Sequence, residues 1–455
     1  MIPHAPGSPA GALPPAAPLS EMSMPIAVEP PDSRRAASRI VAGRHVPRDG
    51  LVIALVNNMP DAALQATEEQ FLGLLRAAAG AQPLRVRLCS LPELPRGTEA
   101  LARISRSYWP IDELLSQPPD ALIVTGTEPR ETRLEHEPYW ERLVGLLEWA
   151  QEHTAASIWS CLAAHAAVLE LDRIERRRLP HKRSGVYAHD IRAGHPLLEG
   201  VEAPLYMPHS RWNDLPVQAL REAGYTVLSW SAETGADAFL REQRSPLLLF
   251  QGHPEYEPTT LLREYRRDVG RYLSGRQAQY PTLPAGCFSA TARATLEAFR
   301  EQALAQRRAE LYERFPFVSV AAELHHPWRS AAVSIYRNWL SLIASARSAG
   351  ARSSAGVARP SMSPGPQDAS AAAGVRERLL RLVAEGLGRP DEAAMLPLEA
   401  RLSELGMSSI KMVILMLALE REFGLTIPQG DITPENLRSV ASIDRMLVRL
   451  LADRS

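Results

Sequence analysis

One thiol and one imidazole–carboxylate pair stand out among the residues able to do chemistry. The thiol is Cys161, in Ser157-Ile158-Trp159-Ser160-Cys161-Leu162-Ala163-Ala164-His165-Ala166, where a short apolar run turns into an Ala-rich helix. A cysteine at a helix N-terminus meets oriented N–H groups and the positive end of the macrodipole, which favour thiolate over thiol. The pair is His253 and Glu255, in Gly252-His253-Pro254-Glu255-Tyr256. Two residues apart, both side chains can share one face of an extended loop, with Glu255 orienting His253 while the ring takes the thiol proton. That is the logic of a Cys-His-Glu triad. A lone cysteine is also a common inert core residue, so these residues by themselves leave both readings open.

Composition narrows the setting. At 455 residues the chain exceeds one comfortable core, and two or three units are expected. Apolar content of 45% with a formal net charge of −1 points to a globular enzyme and not to a nucleic-acid partner. Cys89, Cys161 and Cys287 are odd in number and widely spaced, unlike a disulfide framework or a zinc ligand set. No metal is expected, and a reducing cytoplasm is the expected location. No run approaches ~18 uninterrupted apolar residues, and the N-terminus lacks a basic region followed by an apolar stretch, so neither membrane insertion nor export is expected. Lysine occurs only at Lys182 and Lys411, the remainder of the 51 Lys+Arg being arginine. Coding bias explains most of that skew, yet a site needing a compact, mobile charge would not accept the swap.

The elements that must position these residues follow from apolar patterning. Residues 1–45, rich in Pro, Ala and Ser, read as a disordered lead, with order beginning at Leu51. Leu51 to Val56 reads as a strand buried on both faces, followed by a helix around Thr67 to Arg76 with Thr67 and Gln70 as a capping box. Strands at Leu84 to Leu88, Ala121 to Gly126 and Ser157 to Trp159 alternate with helices at Tyr139 to Gln151 and Cys161 to Leu171. This alternation predicts a doubly wound α/β fold with a parallel sheet and the site at the carboxyl ends of the strands. Pro246 to Gly252 reads as a buried strand ending on His253, and helices are expected at Thr260 to Leu273 and Thr291 to Arg314. Residues 346–373, dominated by Ala, Ser, Gly and Pro, read as a flexible linker. Residues 374–455 then read as a small all-α bundle.

Over residues 46–345 the motifs resemble the homoserine O-acyltransferase family of methionine biosynthesis, built on a class I glutamine-amidotransferase-like (flavodoxin-like) fold. The resemblance is carried in order by Asn58-Met59-Pro60, Thr67-Glu68 with Gln70, Thr125-Gly126 before Tyr139-Trp140, and Cys161. It continues through Lys182 with Gly185-Val186-Tyr187, Pro208-His209-Ser210-Arg211, Gly252-His253-Pro254-Glu255-Tyr256, Glu264-Tyr265 with Arg267-Asp268, and Trp328-Arg329 with Asn338-Trp339. It implies a ping-pong reaction. Cys161 takes an acyl group from a thioester, either acyl-CoA or carrier-bound, and His253 then deprotonates the hydroxyl of homoserine, serine or a carrier-tethered hydroxy amino acid. Glu255 would hold His253, and the Leu162 N–H would stand in the oxyanion hole. Lys182 and Ser210 match positions near the substrate pocket. Arg267 matches a clamp for the substrate carboxylate, with a surface ion pair to Glu264 or Asp268 as the plainer reading. The sequence departs from the family at Leu162-Ala163-Ala164-His165, at Trp212, and at Thr127-Glu128-Pro129, all around the pocket. His165, four residues from Cys161, reads as a packed histidine or an alternative proton acceptor. The implied oligomeric state is open, with a homodimer as one outcome.

Residues 374–455 resemble an acyl or peptidyl carrier protein through Leu405-Gly406-Met407-Ser408-Ser409-Ile410. Ser409 matches the serine that carries 4′-phosphopantetheine, with Ser408 where an Asp is usual. The resemblance implies a phosphopantetheinyl transferase as partner and, for a tethered acceptor, adenylating or other assembly-line enzymes. A flexible linker of this length has a root-mean-square span of ~29 Å, so tethering supplies a thioester at an effective concentration of order mM. The alternatives are a glutamine amidotransferase-like amidase and an inactive docking scaffold for the carrier.

Overall fold

The computed structural model describes residues 26–31 and 50–355 and, in the C-terminal region, residues 376, 378–385, 387, 389, 397, 398, 400, 402, 405, 407, 412, 415, 416, 418, 419, 422, 423 and 436–452. In chain order the strands are β1 (Ile26–Val28), β2 (Leu51–Val56), β3 (Leu84–Cys89), β4 (Ala121–Val124), β5 (Ala156–Ser160), β6 (Arg177–Ile191), β7 (Leu205–Asp214), β8 (Thr226–Val227), β9 (Ser229–Ser231), β10 (Gly235–Ala236), β11 (Ala238–Arg241) and β12 (Leu247–Phe250). The helices used below are α1 (Asp61–Ala79), α2 (Trp140–His153), α3 (Leu162–Asp172), α4 (Thr260–Leu273) and α5 (Arg329–Ala355).

Eight strands form one sheet in the order β1-β3-β2-β4-β5-β12-β11-β8, parallel from β1 through β12 and antiparallel at the β11–β8 edge. Parallel strands buried on both faces need apolar residues in both alternating sets. In β2, Ile53 and Leu55 join the core beneath α1 and α5, while Ala54 and Val56 join the core beneath α2 and α3. The first face is sealed by Phe71 and Leu74 of α1 and by Tyr336, Trp339 and Ile343 of α5, and the second by Leu143 and Leu147 of α2 and Ala164 and Val168 of α3. A second sheet, β10-β9-β6-β7, is antiparallel and is tied to the loop after β12, where the His253 N–H donates to Pro208 O at 2.8 Å.

Several expectations are corrected. The lead of residues 1–45 is not wholly unstructured, because Ile26–Val28 adds a parallel strand to the sheet edge. Glu29 anchors it by accepting from Arg87 Nε at 3.1 Å, and its carbonyl accepts from Trp109 Nε1 at 2.7 Å. Helix α1 begins at Asp61 after Pro60, so Thr67 and Gln70 lie inside it; Gln70 Nε2 donates instead to Thr260 Oγ1 at 2.7 Å. Residues 346–355 of the expected linker continue α5, where Arg347 Nη1 reaches Asp120 Oδ2 at 3.2 Å. The helix expected over Thr291 to Arg314 breaks at Gln306 into Ala290–Ala305 and a 3₁₀ segment, Ala309–Arg314.

The C-terminal region forms a separate compact unit. Its described core joins Leu379, Val383, Leu402, Met407, Leu415 and Leu419 to Ile443 and Met446 of the helix Val440–Ala452. Ser409, Ser408 and Lys411 lie outside the described residues.

Candidate active site

Cys161 occupies a strained turn between β5 and α3, with φ 53° and ψ −114°. That left-handed φ is rare for a residue bearing a Cβ and is retained only where surrounding bonds fix it. Here the Cys161 N–H donates to Phe250 O of β12 at 2.7 Å, and the Cys161 carbonyl accepts from the His165 N–H at 3.1 Å. Two adjacent parallel strands thus hold the elbow. Gly126 leaves space in front of the next amide: a Cβ there would stand 3.0 Å from Leu162 N and 3.1 Å from Leu162 Cβ.

His253 follows β12 and meets the elbow. Its Nδ1 lies 2.8 Å from Glu255 Oε1, and the Cys161 sulfur bears on the ring's charge. Burial works against the imidazolium, but the Glu255 carboxylate and the Cys161 sulfur outweigh it and hold His253 well above the ordinary histidine range. Glu255 Oε2 is buried without a hydrogen-bond partner among the described residues. Gly252 is required by close approach, since a Cβ would lie 2.5 Å from Asp237 Oδ1 and from Met207 Cγ.

Tyr256 joins this line of residues to a second polar cluster. Its ring stacks on His253 at a centroid distance of 4.3 Å, and its hydroxyl donates to Glu264 Oε1 at 2.6 Å. Glu264 Oε2 accepts from Ser210 Oγ and from Lys182 Nζ, the latter at 3.2 Å; Lys182 also donates to Asp268 Oδ2 at 3.1 Å. Burial would raise the Glu264 carboxyl, yet Lys182, Ser210 and Tyr256 together hold it below its usual value. Lys182 and Ser210 are therefore brought together one residue from the stacked Tyr256–His253 pair. Arg267 shares Asp268 with Lys182: its half-exposed side chain pairs with Asp268 at 2.9 Å, the ion pair of its plainer reading.

Behind the catalytic loop lies a fully buried network that the sequence alone did not suggest. Arg211 Nε donates to His209 Nδ1 at 3.3 Å, and His209 Nε2 lies 3.2 Å from His189 Nε2 and 3.6 Å from Asp237 Oδ1. His189, His209 and Asp237 converge as metal ligands can. The Arg211 contact, however, keeps the His209 proton on Nε2, the nitrogen that would have to ligate, so the cluster acts as a hydrogen-bonded buttress. Asp237 Oδ1 in turn accepts from the Gly252 N–H at 3.1 Å, pinning the residue before His253. His165 is packed: its Nε2–H donates to Gln251 Oε1 at 2.9 Å, and burial with the Arg211 charge lowers it to about 3, so the ring is uncharged at neutral pH.

Fold and site define a class, a doubly wound α/β protein built around a cysteine elbow. Residues 42–349 match the family model for homoserine O-succinyltransferase, and residues 377–443 match the phosphopantetheine attachment site. The chain belongs to the homoserine O-succinyltransferase family and is an acyltransferase with a carrier region joined to it. It is 44% identical over 312 residues to a homoserine O-succinyltransferase of Rhodopseudomonas palustris, covering 69% of this chain and 91% of that one. It is 45% identical over 293 residues to that of Methylorubrum extorquens, covering 64% and 87%. Among solved structures, a glutamine amidotransferase from Thermotoga maritima aligns at 8% identity and a TM-score of 0.37, covering 64% of this chain and 98% of that one. A chain from the structure of Bradyrhizobium japonicum glycine:[carrier protein] ligase complexed with glycylated carrier protein aligns at 46% identity and a TM-score of 0.14, over 16% of this chain and 97% of that one. No helix among the described residues is long and apolar enough to cross a membrane.

Proposed function

We propose that the chain transfers a succinyl group from a thioester to the side-chain hydroxyl of homoserine through an acyl-enzyme on Cys161. One observation carries the reading: His253 Nδ1 lies 2.8 Å from Glu255 Oε1, and the Cys161 sulfur, held at the elbow after β5, bears on the same ring. His253 takes the thiol proton as Cys161 Sγ attacks the thioester carbonyl. The acyl carbon–sulfur bond to the donor breaks, and the departing thiolate leaves with the proton held on His253. In the second half the acceptor hydroxyl gives its proton to His253, its oxygen bonds the acyl carbon, and the Cys161 sulfur leaves. The Leu162 N–H, which faces Gly126, stabilises the oxyanion of both tetrahedral intermediates. Lys182, Ser210 and Glu264 form the polar floor for the amino-acid acceptor. Arg267, once released from Asp268, supplies the carboxylate clamp.

In this reading residues 46–345 are the transferase and residues 374–455 the carrier, with Ser409 as the attachment serine. A 4′-phosphopantetheine there would hold its cargo as a thioester. The buried Met407, whose N–H donates to Leu402 O at 2.9 Å, anchors the chain two residues before that serine, as an attachment loop requires. The carrier presents either the acyl donor or a tethered hydroxy amino acid, and the free thiols Cys89, Cys161 and Cys287 agree with a reducing cytoplasm. The test is to treat the full chain with a phosphopantetheinyl transferase, load it, and follow O-acyl homoserine by mass spectrometry beside an unloaded Ser409→Ala chain given succinyl-CoA. Succinyl transfer to homoserine, with added mass at Ser409, supports the reading. Glutamate release from glutamine in place of acyl transfer overturns it.

A further inference from the structure

His165 is buried, titratable and unused by the chemistry proposed above, and it falls in the Leu162-Ala163-Ala164-His165 stretch where the sequence departs from the family pattern. It stands in the first turn of α3 and makes two bonds of interest. Its main-chain N–H donates to the Cys161 carbonyl at 3.1 Å, and its Nε2 lies 2.9 Å from Gln251 Oε1. That oxygen also meets the Leu215 N–H at 3.0 Å and Arg211 Nη1 at 3.3 Å, groups that can only donate. Oε1 is therefore the acceptor, and His165 presents its Nε2–H tautomer to it. Burial with the Arg211 charge leaves the ring too weakly basic to take the thiol proton.

Gln251 belongs to the other half of the site. It follows β12, is fully buried, and its Nε2 donates to Ala236 O at 2.7 Å. The Phe250 carbonyl before it accepts from the Cys161 N–H at 2.7 Å, and after it come Gly252, whose N–H is held by Asp237, and then His253. The elbow that carries the sulfur and the loop that carries the base are thus joined by a backbone bond at Cys161 and, one turn along α3, by a side-chain bond at His165. Two ties at different points fix orientation as well as distance, which a single hydrogen bond does not. The φ of 53° at Cys161 persists only where its surroundings over-determine it, and His165 holds that residue's carbonyl with the same turn of helix.

We propose that His165 and Gln251 are a positioning pair that sets the Cys161 sulfur against the His253 ring, His165 gripping the elbow and Gln251 the loop that carries the base. Neither is assigned a contact with substrate or with the reacting atoms, so their loss falls on kcat and not on KM. This rests on the acyl-enzyme reading, and the test separates the two. Succinyl transfer from succinyl-CoA to homoserine is measured at steady state on the full chain for wild type, His165→Gln, His165→Asn, Gln251→Met and the double variant His165→Asn/Gln251→Met, with melting temperatures as the check on folding. A Gln side chain carries an N–H out to where Nε2 stands, whereas an Asn side chain reaches only as far as Nδ1. His165→Asn should lower kcat by ~30-fold with KM for homoserine changed by less than ~3-fold, the scale of a small misplacement of reacting groups, and His165→Gln should recover most of that loss. Gln251→Met should cost at least as much, and the double variant no more than ~3-fold beyond the worse single, because both remove the same link. Should an Asn or Met variant not fold, His165→Leu against His165→Gln decides. Equal kcat in His165→Gln and the variant that cannot reach Gln251, a loss confined to KM, or a double-variant loss equal to the product of the singles overturns the pairing. Transfer that persists undiminished in Cys161→Ala instead overturns the acyl-enzyme reading, and the pairing with it.

Discussion

Two buried histidines separated by one loop are driven in opposite directions. His253 and His209 are 7% and 0% exposed, and the His253 N–H donates to the carbonyl of Pro208, the neighbour of His209. Burial opposes the charged form of both. Glu255 at 2.8 Å overrides it for His253, whereas Arg211 at 3.3 Å adds to it for His209. Depth does not decide which histidine favours the charged form; the sign of the nearest charge does. In the proposed reaction the strained, incompletely satisfied side, Cys161 with Glu255, does the chemistry, and the hydrogen-bonded side holds it in place.

The comparison can be broken in order of expected size. Cys161→Ser should lower acyl transfer by ~10⁴-fold or more with the fold retained, measured as O-acyl homoserine formed. Glu255→Gln should cost ~10³-fold in kcat, since it removes the charge that holds the base. It also has a pH signature. A raised imidazole stabilises the fold fully below its unfolded pKa of ~6.5, and that contribution fades as pH rises through the folded value. Glu255→Gln should therefore destabilise most in acid and least in alkali, read from melting temperatures across pH. Gly126→Ala should cost ~10²-fold in kcat by crowding the Leu162 amide. His165 gives the opposite sign. Its folded value of about 3 means that the unfolded chain takes up a proton that the fold refuses between ~6.5 and that value. His165→Gln should remove about 1.4 kcal/mol per pH unit from the loss of stability in that window. Smallest of all, Cys287→Ala should change activity by less than ~2-fold, because burial pushes that thiol up to about 12 and the proposed chemistry does not use it.

Much of this was legible in the sequence, for local reasons. Cys161, His253 and Glu255 sit in short motifs beside strands so apolar that their burial on both faces is unmistakable, as in Leu247 to Phe250. What escaped depends on distant partners. The β6–β7 pair is rich in Arg and His and lacks a clean apolar alternation, so apolar patterning does not mark it as strand. Three residues of β1 are hidden in a Pro-rich stretch and are ordered by β3, Arg87 and Trp109. Helix α1 lacks a side-chain cap at Pro60, which leaves Thr67 and Gln70 as a plausible but false start. The role of Glu264 emerges only when Lys182, Ser210 and Tyr256 are brought together from three elements.

The most direct test of the account is to mix the full chain with succinyl-CoA in the absence of acceptor, quench within seconds, and map the adduct by peptide mass spectrometry. The account predicts one succinyl group on the peptide containing Cys161, discharged on addition of homoserine. An adduct confined to Cys89 or Cys287, or transfer to homoserine that persists in Cys161→Ala, would contradict it.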